Sequence, residues 1–191
     1  VIYDRQEKGY RLEQIYQLKF SNSEILAICK ILLDSRAFTK NEMQGMLEKL
    51  IDCCVLVTNQ KLVKELIRNE EFHYIEPRHK TVFIDKLWTI GQAIHNQQYI
   101  EIEYGRLKDS TTVKRKVQPA AIMFSEYYFY LVGFIDETST QSGFDVIHDS
   151  FPTIYRVDRI QKLDVLDEKY SVPYTDSFQE GEFRKRIQFM Y

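Results

Sequence analysis

Five side chains in this 191-residue chain have the chemistry to hold an anionic ligand that carries a ring: Tyr104, Arg115, Tyr130, Arg156 and Arg159. Arginine presents a planar fork that matches phosphate or carboxylate bidentately. Tyrosine adds a hydroxyl and a ring on which a base can stack. Gathered on one face, the five make an anion or nucleotide pocket. The competing arrangement pairs Arg156 and Arg159 with Asp158, Asp164 or Glu103 at the surface and leaves Tyr104 as a core residue with a satisfied hydroxyl. Side chains alternate along a strand, so parity constrains the choice. Arg156 shares a face with Asp158, whereas Arg159 shares the other with Tyr155 and Val157. Arg156 and Arg159 therefore meet at one ligand only if the strand ends or bulges near Arg159. Similarly, Phe129 and Leu131 belong to the core, and Tyr130 and Val132 face away from it, leaving Tyr130 free to reach a ligand. Arg156 is the expected pocket residue and Arg159 its partner.

Other polar groupings carry less. Arg106, Lys108, Lys114, Arg115 and Lys116, interrupted by Asp109, could steer a phosphate towards the site; an ordinary solvated hairpin tip has the same composition. Asp145, His148, Asp149 and Ser150 bring a histidine near carboxylates and a hydroxyl, but no oxyanion hole accompanies them. A Gly-rich phosphate loop, an HExxH and a GxSxG are all missing from the sequence. His73 and His79 lack a third metal ligand nearby. Cys29, Cys53 and Cys54 are odd in number and without metal spacing, which suits buried free thiols in a reducing compartment. The reading is a binding module that needs no cofactor or metal, not an enzyme.

The elements that position these residues follow from periodicity. A charged loop between Tyr3 and Tyr10 reads as a hairpin. Ser21 to Glu24 and Thr39 to Glu42 are capping boxes. The first precedes a stripe of Ile25, Ile28, Cys29 and Leu32, and the second a stripe of Met43, Met46, Leu47 and Leu50. A third helix starts near Thr58 with Leu62, Val63, Leu66 and Ile67 on one side. A linker with Pro77 spans 72–80. A helix over 84–95 places Ile84, Leu87, Trp88, Gly91 and Ile94 on its buried side. The period then changes to two: strands are expected at 100–104, 113–118 (ended by Pro119), 121–124, 127–135, 153–159 and 162–166. A helix followed by about five short antiparallel strands reads as an α+β chain with a small SH3- or Sm-like β-barrel. The formal net charge is -2, unlike a self-sufficient DNA-binding domain. No apolar run reaches bilayer length, and a cytoplasmic location is expected.

The second half resembles the WYL-domain family. The resemblance rests on four pieces in order: Ile100 to Tyr104; Arg115-Lys116-Val117-Gln118-Pro119; Phe129-Tyr130-Leu131 at the position of the namesake Trp-Tyr-Leu; and Tyr155-Arg156-Val157-Asp158-Arg159-Ile160. Phe129 keeps an aromatic but loses the indole N–H. The resemblance divides the chain into a winged-helix wing remnant over 1–14, a helical linker and dimerisation region over 15–80, the WYL β-barrel over 81–167, and the start of a C-terminal extension over 168–191. It implies a chain truncated at both ends. It also implies the ligand-sensing, homodimeric part of a bacterial DNA-binding transcription regulator, touching duplex DNA only through a preceding winged helix-turn-helix domain. The basic pocket would sense a nucleotide or short single-stranded nucleic acid. The alternative is a purely structural Sm-like oligomerisation module without a ligand.

Overall fold

The computed structural model describes residues 2–4, 6, 8–11, 20–106, 111–135 and 152–171. The chain divides into two compact units, Val1–Glu76 and Pro77–Tyr191. Expectations for Leu12, Lys108, Asp109, the loop over 136–151 and the tail beyond 171 lie outside the described residues.

The first unit holds a short hairpin, β1 (Ile2–Asp4) and β2 (Gly9–Arg11), in which Tyr3 and Tyr10 pair directly and meet edge to face. Three helices follow: α1 (Asn22–Ser35), α2 (Lys40–Cys54) and α3 (Val57–Phe72). Both capping boxes form, so Ser21 and Thr39 each accept from the backbone N–H of Glu24 and Glu42, whose carboxylates accept in return. The caps begin the helices where the sequence places them. The buried stripes are narrower than the apolar ones. α1 buries Ile25, Cys29 and Leu33, α2 buries Met43, Leu47 and Ile51, and α3 buries Val63 and Ile67. Ile28, Leu62 and Leu66 are exposed instead, because a helix meeting its neighbours along one seam covers an i, i+4 row and leaves the flanks outside. Cys53 is exposed for the same reason and Cys54 half-buried, so only Cys29 fits the expectation of buried thiols. The Tyr74 hydroxyl donates to the Phe38 carbonyl at 2.7 Å and pins the α1–α2 loop to the chain leaving α3.

The second unit opens with α4 (Ile84–His95). Five antiparallel strands follow: β3 (Gln98–Gly105), β4 (Thr112–Ser125), β5 (Tyr128–Ile135), β6 (Thr153–Arg156) and β7 (Ile160–Lys169). They form one sheet in the order β6-β5-β4-β3-β7. The α+β class is as expected. β6 and β7 are the sheet edges, with no ladder between them among the described residues, so the strand pairing does not describe a closed barrel. The core runs through Ile100, Ile102, Val117, Leu131, Tyr155 and Ile160, on the face that α4 packs against.

Three details depart from the expected elements. Trp88 is 71% exposed, not buried. It sits roughly 200° round the helix from the buried Ile90, so the inward side is that of Ile90 and Ala93. β4 does not end at Pro119. Its first half pairs with β3 up to Val117, its second half pairs with β5, and the register shifts between Pro119 and Ala121. Pro119 thus lies beyond the β3 ladder, where its missing N–H removes no bond to that strand. Gly133 faces Pro119 across this bend. A Cβ there would lie 2.6 Å from Val117 Cγ1 and 2.7 Å from the Gln118 carbonyl oxygen, so only glycine admits the close approach. Finally, the strand expected over 153–159 stops at Arg156, and a single 3-10 turn, Val157–Arg159, leads into β7.

Candidate functional site

Tyr130 on β5 and Arg156 on β6 are direct cross-strand partners, so their side chains share a face of the sheet. That face is not bare. Met123 and Val132 are buried on it, with Tyr130 and Ala121 packed against them. Tyr130 is therefore half-buried and packed in place, on the face that strand parity assigns to it. The Arg156 guanidinium lies over the Tyr128 ring, 3.6 Å from its centroid. It donates to both oxygens of Asp158, from Nε at 3.1 Å and from Nη2 at 2.8 Å. Burial disfavours the charged guanidinium, but the Asp158 carboxylate outweighs it and holds the pKa above the usual value. The pairing of Arg156 with Asp158, the alternative to a ligand contact, is thus formed. Parity along a continuous strand already put these two on one face; the 3-10 turn brings Asp158 back under the guanidinium.

Tyr104 and Arg115 lie on the opposite face. Arg115 pairs with the fully buried Ile102 across β3 and β4, and its Nη1 donates to the Lys114 carbonyl at 3.2 Å. Tyr104 meets the Tyr155 ring edge to face at 5.1 Å, and its hydroxyl accepts weakly from the Arg156 backbone N–H at 3.4 Å. The register does not carry Arg115 to Tyr130 and Arg156, because the side chains of β4 ahead of the Pro119 bend alternate out of step with those of β5 at Tyr130. Tyr155 itself is 4% exposed. Thr153 and Arg115 act on its hydroxyl, yet no hydrogen bond of proper geometry reaches it. Burial above all pushes its pKa up to about 12, with Arg115 opposing.

Arg159 belongs to a third place. It lines an open concavity of about 510 Å³ together with Lys86, Arg106, Asp158 and Gln161, and with Thr81, Gly105 and Ile160. The 3-10 turn aims Asp158 and Arg159 into this space, α4 supplies Lys86, and the end of β3 supplies Arg106. The Lys86 ammonium donates to the Ile160 carbonyl. Burial pulls its pKa below the ordinary lysine range, and Asp158 pulls it back. Among the described residues, three cations thus surround one carboxylate that Arg156 already neutralises, which makes their sum positive. The Asp158 side chain, only 5% exposed, is the hinge of the arrangement, since it holds Arg156 on one side and lines the concavity on the other. Sequence patterns place Arg106 only in a hairpin tip and do not single out Lys86. The available signal was a lysine at 86 between Phe83 and Ile90 on the inward side of a helix, where a cation stays only with an acceptor or a ligand.

The remaining groupings are quiet. His79 accepts from the Thr81 backbone N–H through Nδ1 at 2.9 Å. Among the described residues no three His, Cys, Asp or Glu side chains gather as metal ligands, and no helix is long and apolar enough to cross a membrane.

The WYL domain family matches residues 85–165, the stretch from α4 into β7. The match spans 81 of the chain's 191 residues, so this stretch is similar to WYL domains. Among solved structures it is similar to proteasome accessory factor B/C (PafBC) of Arthrobacter aurescens, at 15% identity and a TM-score of 0.38, over 84% of this chain and 22% of that one. A likeness of that degree fixes neither fold nor function. No curated protein matches the chain.

Proposed function

We propose that this chain is the ligand-sensing and dimerisation part of a bacterial DNA-binding transcription regulator, and that its concavity takes a nucleotide or short single-stranded nucleic acid. The observation that carries this reading is the placing of Lys86, Arg106 and Arg159 around one open space whose single lining carboxylate, among the described residues, is already paired. Phosphate oxygens would find Arg forks and two unused ammonium N–H donors there. Arg159 and Arg106 touch the ligand, while Arg156 holds Asp158 in position. Tyr104, Tyr130 and Arg115 shape the sheet around the site. The meeting of Tyr104 on β3 with Tyr155 on β6 supports an SH3- or Sm-like curl of the sheet.

The test is a calorimetric titration with nucleotides and short single-stranded DNA. Binding is expected, and Arg159→Ala should weaken it by about 1.5–3 kcal/mol, the range for a hydrogen bond to a charged group. Absence of any anion binding overturns the reading. The ten-residue edge strand β7, paired on one side only among the described residues, favours a second reading, a structural module that assembles through strand addition. Sedimentation separates the two: the regulator is expected to be a dimer, and larger rings without ligand binding would support the structural module.

A further inference from the structure

Asp158 is an unexpected group for a phosphate site. A carboxylate beside a phosphate repels it, and Lys86, Arg106 and Arg159 could hold an anion better without it. Its pairing with Arg156 accounts for its place in the fold; as a lining group of the concavity it also offers an acceptor to a ligand that brings a hydrogen-bond donor. The two oxygens of Asp158 take one N–H each from Arg156, at 3.1 and 2.8 Å. A carboxylate has about four acceptor sites, so each oxygen keeps one. The bidentate clamp fixes the plane of the carboxylate, and the stacking of Arg156 on Tyr128 fixes the clamp. The remaining acceptors are therefore preoriented, at a wall whose charged side chains, Lys86, Arg106 and Arg159, are donors and whose neutral polar ones are Gln161 and Thr81. The Gln161 oxygen accepts from the Thr112 hydroxyl at 3.2 Å, and the Thr81 hydroxyl donates to the His79 carbonyl.

We infer that the concavity is selective for a ribonucleotide, with a ribose hydroxyl donating to Asp158 while Arg106 and Arg159 hold the phosphate. This rests on the anion-site reading above and names the substrate class of that site. The 2′-hydroxyl is the donor that separates ribose from deoxyribose. A site built to accept from a hydroxyl rejects the analogue that lacks it, because the buried acceptor is left unpaired. A volume of about 510 Å³ suits one nucleotide, and this commits the ligand to a mononucleotide, not a strand.

The experiment is calorimetry on the full chain with four probes: a ribonucleoside 5′-monophosphate, its 2′-deoxy counterpart, inorganic phosphate and a four-residue oligoribonucleotide. The ribonucleotide should bind about tenfold or more tightly than the deoxy form, as expected for a hydrogen bond to a charged acceptor. Asp158→Asn should shrink that ratio severalfold while strengthening inorganic phosphate binding. Misfolding would lower both affinities, so the opposite signs distinguish lost selectivity from lost structure, and circular dichroism checks the fold. Equal binding of the two mononucleotides overturns the inference and leaves the anion site standing. Failure of all four probes overturns both. An oligoribonucleotide that binds tenfold more tightly than the mononucleotide overturns the choice of ligand.

Discussion

Tyr155 shows how a single group can be costly where it stands. Its hydroxyl is buried without a proper partner, and an unsatisfied buried polar group costs about 1–3 kcal/mol. Tyr155→Phe should therefore leave stability at neutral pH unchanged or raise it by about 1 kcal/mol. Alkali should reveal more. The folded pKa of about 12 exceeds the ordinary value of 10. A raised pKa stabilises the fold fully below pH 10, and that contribution is lost as the pH climbs to 12, because the unfolded chain releases the proton first. A difference of that size corresponds to about 3 kcal/mol. Urea unfolding at pH 8 and pH 11 should show wild type falling more steeply than Tyr155→Phe; parallel curves would contradict the assignment. Asp158 and Arg156 illustrate the opposite case, in which burial is offset by a bidentate partner and an aromatic face.

At the scale of elements, the bend of β4 is the most exacting feature. Gly133→Ala places a methyl group against Val117 and the Gln118 backbone, and backbone cannot yield as a flexible side chain would. A loss of about 1–3 kcal/mol or more is expected from such overpacking. Leu131→Ala leaves a cavity at a fully buried position and should cost about 2–5 kcal/mol. Both are read from urea midpoints. The turn from β4 to β5 holds Glu126 and Tyr127 at positive φ, the conformation that matches the twist of a two-residue hairpin. In the helical unit, Thr39→Ala removes a capping box and should cost about 1 kcal/mol. A loss much below that would mean that tertiary packing, and not the cap, sets where α2 begins.

The whole molecule is two compact units, each with its own buried residues. Core damage should be felt first in the unit that carries it. Hydrogen exchange on Ile51→Ala should show faster exchange in α1, α2 and α3, and on Leu131→Ala in β3 to β7. Charge behaves differently at this scale. The chain as a whole is slightly acidic, with a formal net charge of -2, while the concavity gathers three cations. Attraction of an anion is therefore local. Affinity for a nucleotide should fall as salt rises from about 0.05 to 0.2 M, since the site is open and screened. Salt-independent binding would point to an apolar contact instead.

Amino-acid order alone determined the local elements. Capping boxes at Ser21 and Thr39, the 3.6-residue period of four helices and the two-residue period from Ile100 onward act over a few residues and need no distant partner. The same holds for the strand motifs shared with WYL domains. Tertiary structure decided which flanks of those elements are covered and which side chains meet. Trp88 faces out because the sheet presses on Ile90 and Ala93. Arg115 and Tyr130 part company because the register of β4 on β5 shifts by one residue between Pro119 and Ala121, which strand parity cannot anticipate. Arg159 leaves Arg156 for another concavity because the strand gives way to a 3-10 turn. Asp158, Lys86 and Arg106 come from a turn, a helix and a strand end far apart in sequence, so only packing of α4 against the sheet could bring them round one space.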